Sequence, residues 1–271
     1  IALPPPMLVT ERCRDMKKEA QKQQPSNLFE GMVSVRAVLE AAENGFNDRK
    51  ILTICYAKEN LKRREKEYRF LCARGKALGF PVILCDAAEI EKTALGTTHG
   101  GVLAKCSERT LPRLETVEKN GFYMMLEGIE DPYNFGYALR SLYAAGVDGV
   151  ILPPRNWMSA AGVVCRASAG ASEKLPLYLC DTADSLSLFH KNGYRIYAAD
   201  TENAVSVYDA SLARPLYLIV GGEKRGISAK TLQQADEIIC LDYGRPDQFA
   251  LSAASAASVL AFEVYRQNRG K

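Results

Sequence analysis

Apolar residues form short, nearly continuous runs along the second half of the chain. Six of these runs predict strands: Phe122–Leu126, Gly149–Leu152, Leu177–Leu179, Arg195–Ala198, Leu216–Val220 and Ile238–Leu241. Helical segments separate most of them, and an alanine-rich helix is predicted from about Ser252 to Gln267. Apolar runs without strict alternation are typical of parallel strands that are covered on both faces. This half of the chain therefore predicts a parallel α/β sheet, whose ligands bind beyond the carboxyl ends of the strands.

A smaller α/β pattern precedes it. Strands are predicted over Ile51–Tyr56, Phe80–Cys85 and Gly101–Ala104, and a long charged helix over Leu61–Leu78. Residues 1–26 combine prolines with a basic run and predict an arm, which is either a solvated tail or a segment that contacts nucleic acid. We therefore expect a basic arm at 1–26, a small α/β domain at 27–107, a linker at 108–121 and a larger domain at 122–271.

Composition narrows the class of protein. Hydrophobic residues make up 47% and charged residues 25%, as in ordinary globular proteins. No apolar run reaches the roughly 18 residues of a membrane span, and the N-terminus lacks the pattern of a secretory signal. The eight cysteines include no C-x-x-C pair, and the two histidines are far apart, so we expect a reducing cytoplasm and no metal. A net charge of +3 permits nucleic-acid binding without requiring it.

Three loops at predicted strand ends carry candidate chemistry. The first, Glu127–Gly136, leads into a helix that carries Arg140. Asp131 and Asn134 are typical helix caps, but a cation so near a helix start is disfavoured by the helix dipole and indicates an anionic ligand. The second loop, Val220–Gly226, is rich in glycine, and the third, Ile238–Ser252, enters the alanine-rich helix. Taken alone, the second loop is as consistent with a plain strand-to-helix turn as with a ligand site, and the small residues of the third loop favour tight core packing.

Together, the three loops resemble the SpoU/TrmH family of RNA ribose methyltransferases, which belongs to the SPOUT superfamily. The first motif reads Asp131-Pro132-x-Asn134-x-Gly136-x-x-x-Arg140, and the second Gly221-x-Glu223-x-x-Gly226. The third comprises Leu251, the small-residue helix, Glu263 and Arg266-Gln267. Glu30-Gly31-x-x-x-Val35 and Thr98-His99-Gly100-Gly101-Val102 resemble the family's substrate-binding domain, which is similar to a ribosomal protein fold. We expect His99 to have a structural role at its turn.

The resemblance implies a trefoil-knotted catalytic domain that transfers a methyl group from S-adenosylmethionine to a ribose 2′-hydroxyl of structured RNA, with ribosomal RNA favoured over transfer RNA. It also implies a homodimer that associates through the C-terminal domain. The cofactor would be held by Gly221, Gly226, Leu241 and Leu251. The catalytic residues would be Arg140, Asn134, Glu223 and Ser252. A guanidinium is a poor base, so we expect Arg140 to clamp phosphate and to stabilise alkoxide charge, with the other three as orienting groups. For Glu223, a role as the base and a structural role as partner of the loop amides are both open.

One departure from the family pattern keeps an alternative open. The usual Ser-Leu-Asn of the third motif is replaced by Ala250-Leu251-Ser252. The alternative is a catalytically silent RNA-binding protein of the same knotted fold, although Asn134, Arg140 and Glu223 are intact. An oxidoreductase is disfavoured, because no glycine fingerprint is followed by an acidic ribose ligand about 20 residues later.

Overall fold

The computed structural model describes residues 27–155, 157–222, 226–245 and 251–270, which divide into two units. The first unit contains the described residues up to Thr110 together with the segment Trp157–Lys174, and the second contains the other described residues. The predicted basic arm at 1–26 lies outside the described residues. Each unit is built on its own β-sheet.

The sheet of the first unit has the strand order β1-β4-β2-β3. Strands β1 and β2 pair antiparallel with β4, whereas β2 and β3 are parallel. The strands are β1 (Leu28–Glu30), β2 (Ile51–Ala57), β3 (Val82–Cys85) and β4 (Val102–Cys106), and the helices are α1 (Gly31–Asn44), α2 (Glu65–Leu78) and α3 (Ala87–Thr93).

Helix α2 begins at Glu65 and not at Leu61, where the sequence predicted it to begin. A 3₁₀ turn, Lys58–Asn60, precedes it. Asn60 Nδ2 donates a hydrogen bond to Gly100 O (2.9 Å), and such a side-chain bond to a distant backbone group favours a turn over a continued helix.

The segment Trp157–Lys174 belongs by its contacts to the first unit, although the sequence placed it within the domain at 122–271. It carries α5 (Ala161–Ala167) and α6 (Ala171–Lys174). Arg49 Nε donates to Glu173 Oε2 (2.9 Å), and neither side chain is exposed. Buried charges require such a partner, so this ion pair between residues 124 positions apart explains the difference from the predicted division.

The second unit is a seven-stranded sheet in the order β7-β6-β5-β10-β8-β11-β9, and every recorded strand pairing in it is parallel. Its strands are β5 (Phe122–Leu126), β6 (Gly149–Leu152), β7 (Leu177–Leu179), β8 (Arg195–Ala199), β9 (Val205–Ser206), β10 (Leu216–Val220) and β11 (Glu237–Cys240). Its helices are α4 (Pro132–Ala144), α7 (Thr182–Lys191), α8 (Ala229–Leu232) and α9 (Ala253–Asn268). The predicted parallel α/β architecture is confirmed, and the trefoil knot stays a prediction.

Strands β5 and β10 form the buried centre of this sheet. An aromatic cluster covers part of it, in which the rings of Phe189 and Tyr217 stack with their centroids 3.9 Å apart. Helix α9 packs against α4 and against β10. Because the strands are parallel, the loops that follow β5, β10, β8 and β11 emerge at one edge of the sheet, in that spatial order.

Candidate active site

The first loop follows β5 and is held by backbone and side-chain hydrogen bonds. Glu127 N donates to Val220 O (3.0 Å), and Arg155 Nη2 donates to Ile129 O (2.5 Å). Asp131 Oδ1 accepts a hydrogen bond from Asn134 N (2.8 Å), with Pro132 in the first turn of α4. Asp131 is therefore the N-cap of α4, in agreement with its residue type.

Asn134 and Arg140 follow on α4. The guanidinium of Arg140 is exposed and makes no hydrogen bond or ion pair with any residue in the described part of the chain. The side-chain amide of Asn134 is likewise unused among those residues. A guanidinium offers five N–H donors in a planar fork that suits phosphate oxygens, so Arg140 remains available to an anionic ligand.

The second loop follows β10 and closes on itself through glycines. Gly226 N donates to Gly222 O (2.9 Å), and Gly226 has a left-handed φ of 60°. A Cβ on Gly221 would lie 2.6 Å from Gly226 C, and a Cβ on Gly222 would lie 2.6 Å from Gly128 Cα in the first loop. Glycine is thus required here by close backbone approach. Glu223, the predicted orienting group of this loop, lies outside the described residues.

The third loop follows β11 and leads to α9. Leu251 N donates to Tyr243 OH (3.1 Å), which joins the two ends of the loop. Ser252 is the N-cap of α9: its Oγ accepts from Ser255 N (3.2 Å) and donates to Ser255 Oγ (3.1 Å). Ala250, one of the two residues that depart from the family pattern, lies outside the described residues.

The second and third loops enclose one side of a cavity of about 400 Å³. All four residues predicted to hold the cofactor line this cavity, namely Gly221, Gly226, Leu241 and Leu251. The predicted catalytic residues Asn134, Arg140 and Ser252 are not among its described lining residues. The structure therefore brings the four predicted cofactor residues together. It places Asn134 and Arg140 on α4 and Ser252 at the N-cap of α9.

The cavity suits an adenosine-containing cofactor. Its volume falls within the range of about 300–1,000 Å³ that is typical of small-molecule sites. Small side chains of α9, Ala253 and Ala256, leave room for a flat base, and the glycine backbone of the second loop can be approached closely.

Several lining residues were missed by the sequence analysis. They are Asp200 and Thr201 after β8, Cys240 at the end of β11, and Tyr243 in the third loop. Asp200 and Thr201 follow a predicted strand end, so the general rule for parallel sheets offered a signal for them. Arg155, which holds the first loop at Ile129, was also missed.

The remaining motif residues have structural partners. His99 Nδ1 accepts a hydrogen bond from Gly101 N (3.0 Å), which is the turn role predicted for it. Arg266 donates to both carboxylate oxygens of Glu263 (2.7 and 2.8 Å) and holds the pKa of that carboxyl below its usual range. Gln267 donates to Ala210 O (3.1 Å), so the end of α9 braces the segment that precedes β10.

Two features are absent from the residues that the structure describes. Among those residues no three His, Cys, Asp or Glu side chains lie together as a metal site requires. No helix in the same part of the chain is both long and apolar enough to cross a bilayer.

Two family models match the chain. The model of the SpoU rRNA Methylase family matches residues 121–262, which is more than half of the 271 residues. A second model, described as RNA 2′-O ribose methyltransferase substrate binding, matches residues 35–112. The chain belongs to the SpoU rRNA methylase family.

Curated relatives of this SpoU family member include rRNA methyltransferases. The chain is 27% identical over 214 residues to the 23S rRNA (guanosine-2′-O-)-methyltransferase RlmB of Shewanella oneidensis. The aligned region covers 76% of the chain and 87% of that protein. It is 32% identical over 152 residues to a putative TrmH family tRNA/rRNA methyltransferase of Staphylococcus saprophyticus. This aligned region covers 55% of the chain and 60% of that protein.

A solved structure shares the fold of this family member. The AdoMet-bound rRNA methyltransferase from Sinorhizobium meliloti superposes with a TM-score of 0.76 at 20% identity and covers 97% of both chains. Together with the family models, this confirms the predicted fold class and the resemblance on which it rested. The two family models also confirm the predicted enzyme class, an RNA ribose 2′-O-methyltransferase.

Proposed function

We propose that this chain methylates the ribose 2′-hydroxyl of a nucleotide in ribosomal RNA, and that a guanosine of 23S rRNA is the first substrate to test. The observation that carries the proposal is the convergence of the second and third motif loops on one cavity at the carboxyl edge of the sheet. The name of the Shewanella oneidensis relative supports the choice of RNA and nucleotide. We also propose that the protein acts in the cytoplasm, because the cysteines of the described residues are free thiols, as in a reducing compartment.

The proposed cofactor site is the cavity lined by Gly221, Gly226, Leu241 and Leu251. When S-adenosylmethionine is bound, it supplies the activated methyl group. Gly221 and Leu241 follow β10 and β11, and we expect their backbone groups to hold the adenine edge. Leu251 begins the segment that enters α9 and closes the site from the other end of the third loop.

The proposed catalytic group is Arg140. Methyl transfer requires the ribose oxygen to lie about 3 Å from the methyl carbon and in line with its bond, so positioning the RNA lowers the barrier. The guanidinium of Arg140, which has no partner among the described residues, suits the substrate phosphate and the negative charge that develops on the ribose oxygen. Asn134 and Glu223 would orient the ribose through hydrogen bonds. Ser252 would act as a positioning residue, because its hydroxyl is engaged in capping α9.

We further propose that the first unit binds RNA and that the protein is a homodimer. The second family model, which is named for substrate binding, supports the first of these assignments. Support for the second comes from apolar side chains that are exposed on α4 and α9, two helices that pack together: Tyr137, Phe262 and Val259 are 52%, 45% and 38% exposed. Soluble proteins rarely leave large apolar patches uncovered, and a second copy of the chain would bury these side chains.

The test is methyl transfer in vitro from radiolabelled S-adenosylmethionine to purified 23S rRNA, 16S rRNA and tRNA, followed by mapping of the 2′-O-methylated nucleotide. Label on a single 23S guanosine is the expected result. Label on tRNA alone would contradict the choice of substrate. If the cofactor binds and RNA binds but no label is transferred to any RNA, the catalytically silent alternative replaces the proposed function.

A further inference from the structure

Asp200 occupies a distinctive position beside the cavity. It follows β8, which lies between β10 and β11 in the sheet. Asp200 N donates to Ile239 O (3.1 Å), so its backbone is fixed against the end of β11. The loops that follow β10 and β11 carry Gly221 and Leu241. A ligand that contacts both of those loops must therefore pass over the end of β8, where Asp200 lies.

The side chain of Asp200 is held in place but retains an unused oxygen. Its Oδ1 accepts hydrogen bonds from Thr201 N (2.6 Å) and Glu202 N (3.4 Å), whereas its Oδ2 makes no hydrogen bond within the described residues. Among the described residues that line the cavity, Asp200 carries the one charged side chain. The cavity therefore presents a fixed carboxylate among uncharged side chains and glycine backbone.

A carboxylate accepts hydrogen bonds and donates none, so its ligand must offer donors. The two neighbouring hydroxyls of an adenosine ribose are such donors, and nucleotide-binding parallel sheets use an acidic side chain at a strand end for this purpose. We propose that Asp200 accepts hydrogen bonds from the ribose hydroxyls of S-adenosylmethionine and thereby selects a ribonucleoside cofactor. This inference rests on the proposed assignment of the cavity as the cofactor site.

The first experiment is calorimetric titration of the full-length protein with S-adenosylhomocysteine. Asp200→Ala should weaken binding about tenfold or more, because hydrogen bonds to charged groups are worth about 1.5–3 kcal/mol and each 1.4 kcal/mol is a factor of ten. Asp200→Asn keeps a carbonyl oxygen for Thr201 N and should fold like the wild type, with an intermediate loss of affinity. Glu202→Gln is the matched control, because Glu202 belongs to the same turn but does not line the cavity.

The second experiment identifies which group of the ligand Asp200 contacts. 5′-Methylthioadenosine retains the ribose and lacks the amino-acid part, and its 2′-deoxy and 3′-deoxy forms remove one hydroxyl each. The wild type should bind the deoxy forms more weakly than the parent compound, and Asp200→Ala should abolish that difference. An equal loss on deoxygenation in both proteins would overturn the inference, as would an Asp200→Ala protein that loses affinity only for ligands with the amino group.

These outcomes are separable from failure of the proposed function. If the wild type binds no adenosine ligand at all, the assignment of the cavity is wrong. If the wild type binds and Asp200→Ala binds equally well, the cavity assignment stands and the role of Asp200 is wrong. Melting temperatures of the three variants establish that each protein is folded before its affinity is compared.

Discussion

Replacing Gly221 with alanine should weaken cofactor binding, because the second loop has no room for the added Cβ. The added Cβ would lie 2.6 Å from Gly226 C, 2.8 Å from Ile227 N and 2.9 Å from Gly226 O. These are backbone atoms, which cannot rotate aside as the tip of a side chain would. Ordinary contact begins at 3.4 Å, so the opposite limb of the loop must move by about 0.8 Å, the difference between 3.4 and 2.6 Å.

The energetic consequence follows from that displacement. A shift of this size along the Gly226 N···Gly222 O hydrogen bond would lengthen it from 2.9 Å to about 3.7 Å, beyond hydrogen-bond range. Overpacking of this kind typically costs about 1–3 kcal/mol, and the lower flexibility of alanine in the unfolded chain offsets about 0.4–1 kcal/mol of it. The loop relieves the strain by opening when the cavity is empty. Binding must then close it again, which at about 1.4 kcal/mol raises Kd about tenfold.

Calorimetry with S-adenosylmethionine measures this effect, alongside thermal unfolding to show that the variant is folded. Gly244→Ala is the matched control, because a Cβ there would meet no atom within 4 Å and its φ is not left-handed. We expect the control to bind like the wild type. A folded Gly221→Ala protein with a Kd within about twofold of the wild type would refute the reasoning, because a twofold change corresponds to only about 0.4 kcal/mol.

Three further predictions concern other parts of the molecule. Arg140→Ala should lower the rate of methyl transfer about a hundredfold or more and leave cofactor affinity unchanged, whereas Arg140→Lys should restore the rate only in part, as single-turnover assays with 23S rRNA would reveal. Phe262→Glu should convert the proposed dimer to a monomer in sedimentation, and a variant that stays dimeric would place the interface elsewhere. Arg49→Met should lower the free energy of unfolding by about 3–5 kcal/mol in urea, because Glu173 stays buried without its partner. Combining it with Glu173→Met should recover most of that loss, and a double variant no more stable than the single one would contradict the account.

Much of the second unit could be predicted from the sequence because its strands are buried on both faces. Four predicted strands match the observed bounds, among them Phe122–Leu126 and Leu216–Val220. Such strands are continuous apolar runs, so local composition is sufficient to detect them. Strand β1, Leu28–Glu30, was missed, because it ends in a buried glutamate and so forms no continuous apolar run.

The cofactor residues of the candidate site were predicted for a similar reason. Gly221 and Gly226 are required by the backbone geometry of one short loop, and a local geometric requirement leaves a mark in the sequence. Asp200 meets no such local requirement, and its position after a predicted strand does not by itself distinguish it from the residues that follow the other strands. Its place beside the cavity depends on β8 lying between β10 and β11, an order that departs from the order of the strands along the chain.

The division of the chain into units also depends on contacts between residues that are distant in sequence, as the segment Trp157–Lys174 shows. The SpoU family model spans residues 121–262 and so includes this segment, yet its buried Glu173 pairs with Arg49 of the first unit. Ser172 O likewise accepts a hydrogen bond from Arg109 Nη1 (2.5 Å). A fragment that starts near Glu118 would retain Glu173 and lose both arginines, leaving a carboxylate that must either stay buried without a partner or pull its helix into solvent. The part of the chain that the SpoU family model matches is therefore continuous in sequence, but its stability depends on Arg49 and Arg109, which precede it. Variants that test the two functions separately should keep the full chain and alter single side chains.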